Sequence, residues 1–560
     1  MQVKHALFIR ARLVPFVCLV FFSAEALSLR GETQQHKTEV SDGNRLTYLD
    51  DFSNPYYPNL QFPKLITPQW VGEKGVEAVV TLGIDDMREV ERYEAYLRPI
   101  LDRLRELYEY SPVSIVTNRV DPSDPQLQKW LAEGVTIEAH TADHPCPCLR
   151  DGDFEKAKST YDRCVDQIAK IPGNHPVAFR FPCCDSLNTP SPRAFAEIIN
   201  ARTPEENFLQ ASSSICAPLT VDDPDLPRNL VENTNGTPRF SRYIPFELFV
   251  NKVENYPYPF PVAKLCWEFP LAVPSDWQAQ KLQKPNNPKT VDDLKAAVDA
   301  TVIKRGMANI VFHPHGWIRS DQMVDVIDHA ANRWQDKIRF LNFSECIDRL
   351  NKHLLSGQPL RAEDGTDNGV RLLDLNADGY LDVVIGNRKL QQTRLWKPDQ
   401  AAWDENVFPV LVVDAPTPRD AEKKPSGAGD AGVRFGVLSP GGAASFLVRN
   451  EKQAGVWHFH DGNWRHDPAM LAGLMLDGQP VMTSRMGVDQ GVRLRDLNAD
   501  GICEVIVSNP EQNAVFQWNA KTKQWIKQAF GLPENALLVD AEGRDAGLRF
   551  VDVNEDGYAD

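Results

Sequence analysis

The chain has 560 residues, of which 42% are hydrophobic and 25% charged, with a formal net charge of −16. That length exceeds one ordinary core, so two or three domains are expected, and the composition is that of a soluble globular protein. The acidity excludes a phosphate backbone as partner, which needs a basic surface, and leaves glycans and bound calcium compatible.

Residues 1–28 read as a signal peptide. Lys4, Arg10 and Arg12 form a basic leader, Leu13 to Phe22 an apolar run, and Ala24-Glu25-Ala26 offers small residues for cleavage. The run is too short to span a bilayer as a mature helix, and no later segment reads as a membrane span. The chain is therefore expected to be exported, to a periplasm, a cell surface or the medium. Residues 29–74 read as a linker or N-terminal extension.

From 75 to 355, β-rich runs alternate with helical patterns. Val79 to Leu82 predicts a buried strand, and Val90, Tyr93, Leu97, Ile100, Leu104 and Leu107 then fall at helical spacing. Val113 to Val116 predicts a second strand, and Asp124-Pro125 a helix start. Thr136 to Ala139, Val177 to Phe181 and Asn309 to Phe312 predict further strands, while 203–290 reads as an irregular insertion. Alternating strands and helices imply an α/β domain with a parallel sheet, plausibly a barrel.

Residues 360–560 are built of repeats. Asp367-Asn368-Gly369-Val370-Arg371 recurs from Asp430, from Asp489 and, with Leu548 for valine, from Asp545. Tryptophans recur in phase, as Trp396/Trp403, Trp457/Trp464 and Trp518/Trp525. Such units predict small antiparallel sheets stacked as propeller blades or a related β array.

Polar groups follow the predicted strands of the first domain: Asp85-Asp86, His140 to Pro145, Arg180-Phe181-Pro182 and His313-Pro314-His315. Strand C-termini of a parallel sheet share one face, so these groups can converge. Two histidines four apart fit one face of a helical turn. With a carboxylate they make the ligand set of a catalytic zinc site.

These motifs resemble those of the polysaccharide deacetylase family, the chitin and peptidoglycan deacetylases, over roughly residues 75–350. Thr81 to Asp86 is similar to its Thr-Phe-Asp-Asp-Gly motif, His140 to Pro145 to its His-Ser/Thr-x-x-His-Pro motif, and Arg180 to Pro182 to its Arg-x-Pro motif. The resemblance implies a distorted β/α barrel. It also implies that Asp86, His140 and His144 hold a divalent transition metal, zinc by preference. Asp85 would be the general base, Arg180 would orient Asp85, and His313 would be the general acid, with His315 as its rival. The chain departs from the pattern at Met87, where glycine is usual, and at Cys183, where an aromatic residue is common. Asp276-Trp277 is a candidate for the family's tryptophan-bearing wall.

Cys146, Cys148, Cys183 and Cys184 cluster beside these motifs, so a disulfide between two site loops is expected in an oxidising compartment. A thiolate metal site and buried free thiols are the alternatives, and the pairing stays open.

Three acidic loops recur in the repeats: Asp374, Asn376, Asp378 and Asp382; Asp496, Asn498, Asp500 and Glu504; and Asp552, Asn554, Asp556 and Asp560. Alternating oxygen side chains around a turn glycine suit calcium. The corresponding stretch Val437 to Ser445 lacks the carboxylates, so at most three ions are expected. The units resemble FG-GAP or VCBS repeats of integrin-like propellers, which implies a spacer or a surface- or glycan-binding role. Because Asp560 is the last residue and a blade needs strands after its loop, the natural chain is expected to continue. The expected function is metal-dependent removal of acetyl groups from an N- or O-acetylated carbohydrate. A non-catalytic adhesion protein and a small-molecule amide deacylase are the alternatives.

Overall fold

A run of mostly apolar and β-branched residues, ending in Asp85-Asp86-Met87, forms β1 (Ala78–Met87), buried at every position except Asp86, which is half-buried. The computed structural model describes residues 65–149, 152–185, 191–244, 252–414 and 429–550, all within one unit, Val40–Asp560. The expected leader, 1–28, and the acidic loop Asp552 to Asp560 lie outside the described residues.

Parallel to β1 run β2 (Ser114–Thr117), β3 (Thr136–Ala139), β4 (Ala178–Phe179) and β5 (Ala211–Ser212), each on its predecessor. The remaining strands are β6 (Cys216–Ala217), β7 (Phe260–Val262), β8 (Cys266–Glu268), β9 (Leu271–Ala272), β10 (Met307–Phe312) and β11 (Ile338–Phe340). The order is β6-β9-β10-β1-β2-β3-β4-β5-β8-β7, with β11 also paired to β1, a curled half-barrel whose one antiparallel pair is β7–β8. The stretch 203–290, predicted as irregular, thus supplies five of the eleven strands. They are two or three residues long, too short to show a period of two.

The helices follow their sequence signals. Val90–Tyr108 buries Tyr93, Leu97, Ile100, Leu101 and Leu104, the stripe a 3.6-residue period requires. Pro125–Ala132 opens with proline in its first turn, and the Asp124 side chain accepts from the Gln126 amide. No helix among the described residues is long and apolar enough to cross a membrane.

Beyond residue 360 the described residues form β-strands and turns, with one short 3-10 helix at Pro468–Leu471. Three four-stranded antiparallel meanders run through Val370–Val407, Arg434–Asp467 and Val492–Lys527, joined by two-stranded pieces. The repeated Asp-x-Gly-Val/Leu-Arg element is a latch. Each aspartate accepts from the glycine amide and pairs with the arginine four residues on, at 2.7 Å for Asp367–Arg371 and 2.6 Å for Asp489–Arg493. Arg434 reaches further, to Asp489 of the next unit at 2.8 Å. Trp396 faces Trp403 and Trp518 faces Trp525 across their hairpins. In the middle unit Trp457 faces His466 instead. The tighter Asp461-Gly462 turn shifts the register by two residues, which leaves Trp464 on the same face.

The first meander does not stand apart from the half-barrel. Val370, Leu372, Leu381, Val383 and Ile385 share one core with Trp70, Val79, Trp267, Phe343 and Leu350. Leu65, Trp70 and Val71, ahead of the predicted domain start, are buried there as well. Arg361 is 2% exposed and donates to the carbonyls of Gly365, Ile199, Leu209 and Asn200. Ile66 donates to Gly379 O and accepts from the Leu381 amide, each at 2.9 Å, which pins the first acidic loop to the N-terminal segment.

Candidate active site

The site gathers at the C-terminal ends of the central strands. A bulge interrupts the β1–β2 register between Asp85 and Met87, and Asp86 takes a left-handed backbone with φ 71°. A regular strand would send successive side chains to opposite faces. The bulge relaxes that alternation and re-aims Asp86 toward the histidines.

Asp85 is 2% exposed and is held by Arg180, which is fully buried and meets Oδ1 through Nη1. Arg180 is itself fixed. Its Nε donates to Ser213 O at 2.9 Å and its Nη2 to Ser213 Oγ at 2.8 Å, while Asn309 donates to Ser213 Oγ and Phe269 O. The guanidinium passes directly over β1 at Gly83, where a Cβ would lie 2.8 Å from both Nη atoms.

His140 and His144 aim their Nε2 atoms at Asp86 Oδ1, at 3.3 Å and 2.8 Å. The predicted helical turn is not what brings them together. The segment after β3 is an irregular loop with left-handed Thr141 (φ 65°) and His144 (φ 52°), and these two reversals bring the rings to 5.1 Å between centroids. His140 Nδ1 lies 2.8 Å from Arg180 O. A carbonyl only accepts, so Nδ1 carries the proton and Nε2 presents a lone pair to the carboxylate. Although close to both rings, Asp86 Oδ1 is buried without a well-formed hydrogen bond. A lone pair turned toward a carboxylate oxygen, with the Nε2 of a second imidazole beside it, suits a cation between them, and Asp86, His140 and His144 form the one three-residue ligand cluster among the described residues.

His313 follows β10, and its ring is fixed by Asp276. Nδ1 lies 2.7 Å from Asp276 Oδ1, and the His313 amide donates to Oδ2 at 2.9 Å. Asp276 is buried in the first turn of the helix Asp276–Gln283, which begins with a Ser275/Gln278 capping box. Burial disfavours the charged ring. Asp276, with smaller help from Asp85 and Asp86, overrides it and raises the His313 pKa to about 9. His313 Nε2 is left facing the site, 4.0 Å from Asp86 Oδ2. Cys146 and Cys183 form a disulfide, joining the loop after β3 to the turn after β4. Cys148 is buried, and the side chain of Cys184 lies outside the described residues.

Residues 72–193, which hold the paired aspartates, the two histidines and Arg180, match the polysaccharide deacetylase family model. The chain carries a polysaccharide deacetylase domain. It is a hydrolase domain of the type that acts on acetyl amide bonds. No curated protein matches the chain. Among solved structures it is similar to a Mycobacterium smegmatis protein assigned as a polysaccharide deacetylase, at 15% identity over 52% of this chain and 96% of that one, TM-score 0.33. It is also similar to the catalytic domain of a peptidoglycan N-acetylglucosamine deacetylase from Eubacterium rectale, at 14% over 48% and 90%, TM-score 0.27. The peptidoglycan deacetylase PdaC from Bacillus subtilis matches at 15% over 50% and 94%, TM-score 0.26.

The deacetylase domain thus brings together all six residues singled out from its motifs: Asp85, Asp86, His140, His144, Arg180 and His313. Nothing local marks Ser213, Asn309 or Gly83 as site residues, although Asn309 opens a predicted strand and Gly83 lies within the first motif. Asp276 was noticed only for its neighbour Trp277, and its bond to His313 spans two strand ends. Of the two candidate acids, His315 instead directs Nε2 to Asp86 Oδ2 at 3.0 Å. Trp317 packs edge-on against both rings, at 4.9 Å from each centroid.

In the repeats, the two described acidic loops share one bonding pattern. Asp374 accepts from the amides of Asp378 and Gly379, and Asp382 from that of Leu375. Asp496 accepts from Asp500 and Gly501, and Glu504 from Leu497.

Proposed function

We propose that this chain is an exported, metal-dependent deacetylase acting on an N- or O-acetylated carbohydrate. One observation carries the reading: Asp85, Asp86, His140, His144, Arg180 and His313 come from four separate strand ends and meet in one site. Asp86, His140 and His144 would hold the ion, zinc by ligand preference. When bound, it would supply Lewis acidity to the acyl carbonyl and to water.

The protein's own groups move the protons. Asp85 accepts one from the attacking water, and its bond to Arg180 orients it. His313 holds a proton on Nε2 for the departing nitrogen or oxygen, and Asp276 keeps the ring charged and aimed. Arg180 also ties the two halves of the site together, since its side chain sets Asp85 and its carbonyl sets the tautomer of His140.

The repeats are proposed as part of a β-propeller of the FG-GAP or VCBS type. In it, Asp374, Asn376, Asp378 and Asp382, and Asp496, Asn498, Asp500 and Glu504, would take calcium. The same role is proposed for Asp552, Asn554, Asp556 and Asp560. Three units of matching architecture and two acidic loops of matching bonding support this, and a surface or glycan is the proposed ligand.

Acetate release from chitin oligomers, peptidoglycan and acetylated xylan, with and without chelator, tests the enzymatic reading. Release from at least one, abolished by chelator and restored by zinc, is expected. No release from any of them would overturn it.

A further inference from the structure

We infer that His315, set by Arg92, is a positioning residue that fixes the carboxylate of Asp86 so that one oxygen alone faces His140 and His144. The inference rests on the reading of those three residues as metal ligands. His140 and His144 approach Oδ1, whereas His315 Nε2 lies 3.0 Å from Oδ2, on the other side of the same carboxylate.

The tautomer of His315 follows from its second neighbour. Arg92 Nη2 lies 3.3 Å from His315 Nδ1 and donates to Pro314 O at 2.8 Å. A guanidinium has only donors, so Nδ1 accepts and the ring proton sits on Nε2, pointing at Asp86 Oδ2. A protonated nitrogen offers no lone pair, so in this state His315 is a donor to the ligand rather than a ligand. It also lies outside the ligand cluster of Asp86, His140 and His144.

Asp86 needs such a partner. It sits at a bulge with a left-handed backbone, where the strand ladder does not dictate the direction of its side chain. Oδ1 has no well-formed hydrogen bond, so the N–H of His315 on Oδ2 is what sets the rotation of the carboxylate. Trp317 packs edge-on against the His315 ring and restricts its swing. The Pro314 carbonyl anchors Arg92 to the same turn, so the helix start at Val90, the turn after β10 and the bulge of β1 are tied at one point.

The test is zinc affinity of the full chain, measured by competition with a chelating indicator, together with zinc X-ray absorption to count imidazoles. Wild type is expected to bind one equivalent that His144→Ala abolishes. His315→Ala should keep the stoichiometry but lose about 10–100-fold in affinity, the usual cost of removing a partner of a metal ligand. His315→Gln, which retains an N–H donor, should recover most of that loss. Arg92 is exposed, so Arg92→Ala spares the fold, and its affinity should fall between wild type and His315→Ala. Affinity of His315→Ala within about twofold of wild type, against the cost expected for such a partner, would overturn the inference. So would a Gln variant no better than Ala, or an imidazole count that drops by one in His315→Ala. If wild type binds no stoichiometric zinc, or His144→Ala binds it unchanged, the ligand reading itself fails and takes the inference with it.

Discussion

The motifs assign no catalytic or metal-binding role to Asp276 or Gly83, yet each controls a group that has one. Asp276 holds His313 protonated, at a pKa of about 9. A general acid works only while it carries its proton, so activity falls as pH rises through that group's pKa. Asp276→Asn removes the charge that raises it, and the descending limb of kcat/KM should move to lower pH. An unmoved limb would assign it to another group. At Gly83 an added methyl would meet the Arg180 guanidinium at 2.8 Å, and Arg180 has no room to yield because Ser213 holds it on two atoms. Gly83→Ala should therefore displace Arg180 from Asp85 and lower kcat by about 10²-fold, a typical cost of small misplacement. Bound metal should be unchanged, and metal analysis beside kcat checks both parts.

Among the strands, β3 and β8 each carry a glutamate where the burial pattern calls for an apolar residue. Glu138 accepts from the amides of Val177 and Ala178, and Glu268 from those of Ser214 and Ile215. These bonds satisfy amides at the starts and ends of very short strands that the sheet ladder leaves unpaired. Burial raises both carboxyls to about 7, with the bonded amides only partly opposing it. A folded-state pKa above the unfolded one means the folded state binds more protons between pH 4.5 and 7. This contribution to stability is complete below pH 4.5 and lost as pH rises to about 7. In urea unfolding at pH 5 and pH 8, Glu138→Gln/Glu268→Gln should show a smaller pH-dependent loss than wild type. An equal loss in both proteins would assign the dependence elsewhere.

For the whole molecule, the shared core and Arg361 make the first repeat unit part of the catalytic domain's support. Burial pushes the Arg361 pKa down, and four carbonyls depend on it for hydrogen bonds. Arg361→Ala should destabilise the chain by about 3 kcal/mol or more, since each buried carbonyl left without its donor costs about 1–3 kcal/mol, measured as a shift in the urea midpoint. A shift under about 1 kcal/mol, that of an exposed pair, would mean the junction is loose. The bonds of Ile66 to Gly379 and Leu381 extend the coupling to the first acidic loop. Calcium binding there should therefore raise the melting temperature of the deacetylase domain as well as the repeats. The gain should be about 2.7 kcal/mol at a hundredfold excess over Kd. Asp374→Asn/Asp378→Asn should remove the deacetylase share, and a domain indifferent to calcium would show the loop empty or uncoupled.

What the sequence determined by itself was local or periodic: the helix Val90–Tyr108 from its apolar spacing, the cap at Asp124, the repeat phase, and His140, Arg180 and His313 placed just past strands; Asp85 and Asp86, expected to follow the first strand, instead lie within β1, which runs on to Met87. Those signals live within a few residues of one another, so they survive without the fold. The tertiary structure alone decided which oxygen of Asp86 meets which histidine. It also decided that His313 rather than His315 is bonded to Asp276, and that left-handed backbone at Thr141 and His144, not a helical turn, joins the two rings. It decided too that 203–290 completes the sheet and that the first repeat shares the domain's core. Each of these depends on strands far apart in the chain meeting in one register, and a contact between residues 86 and 315 or 361 and 199 leaves no mark in the neighbourhood of either.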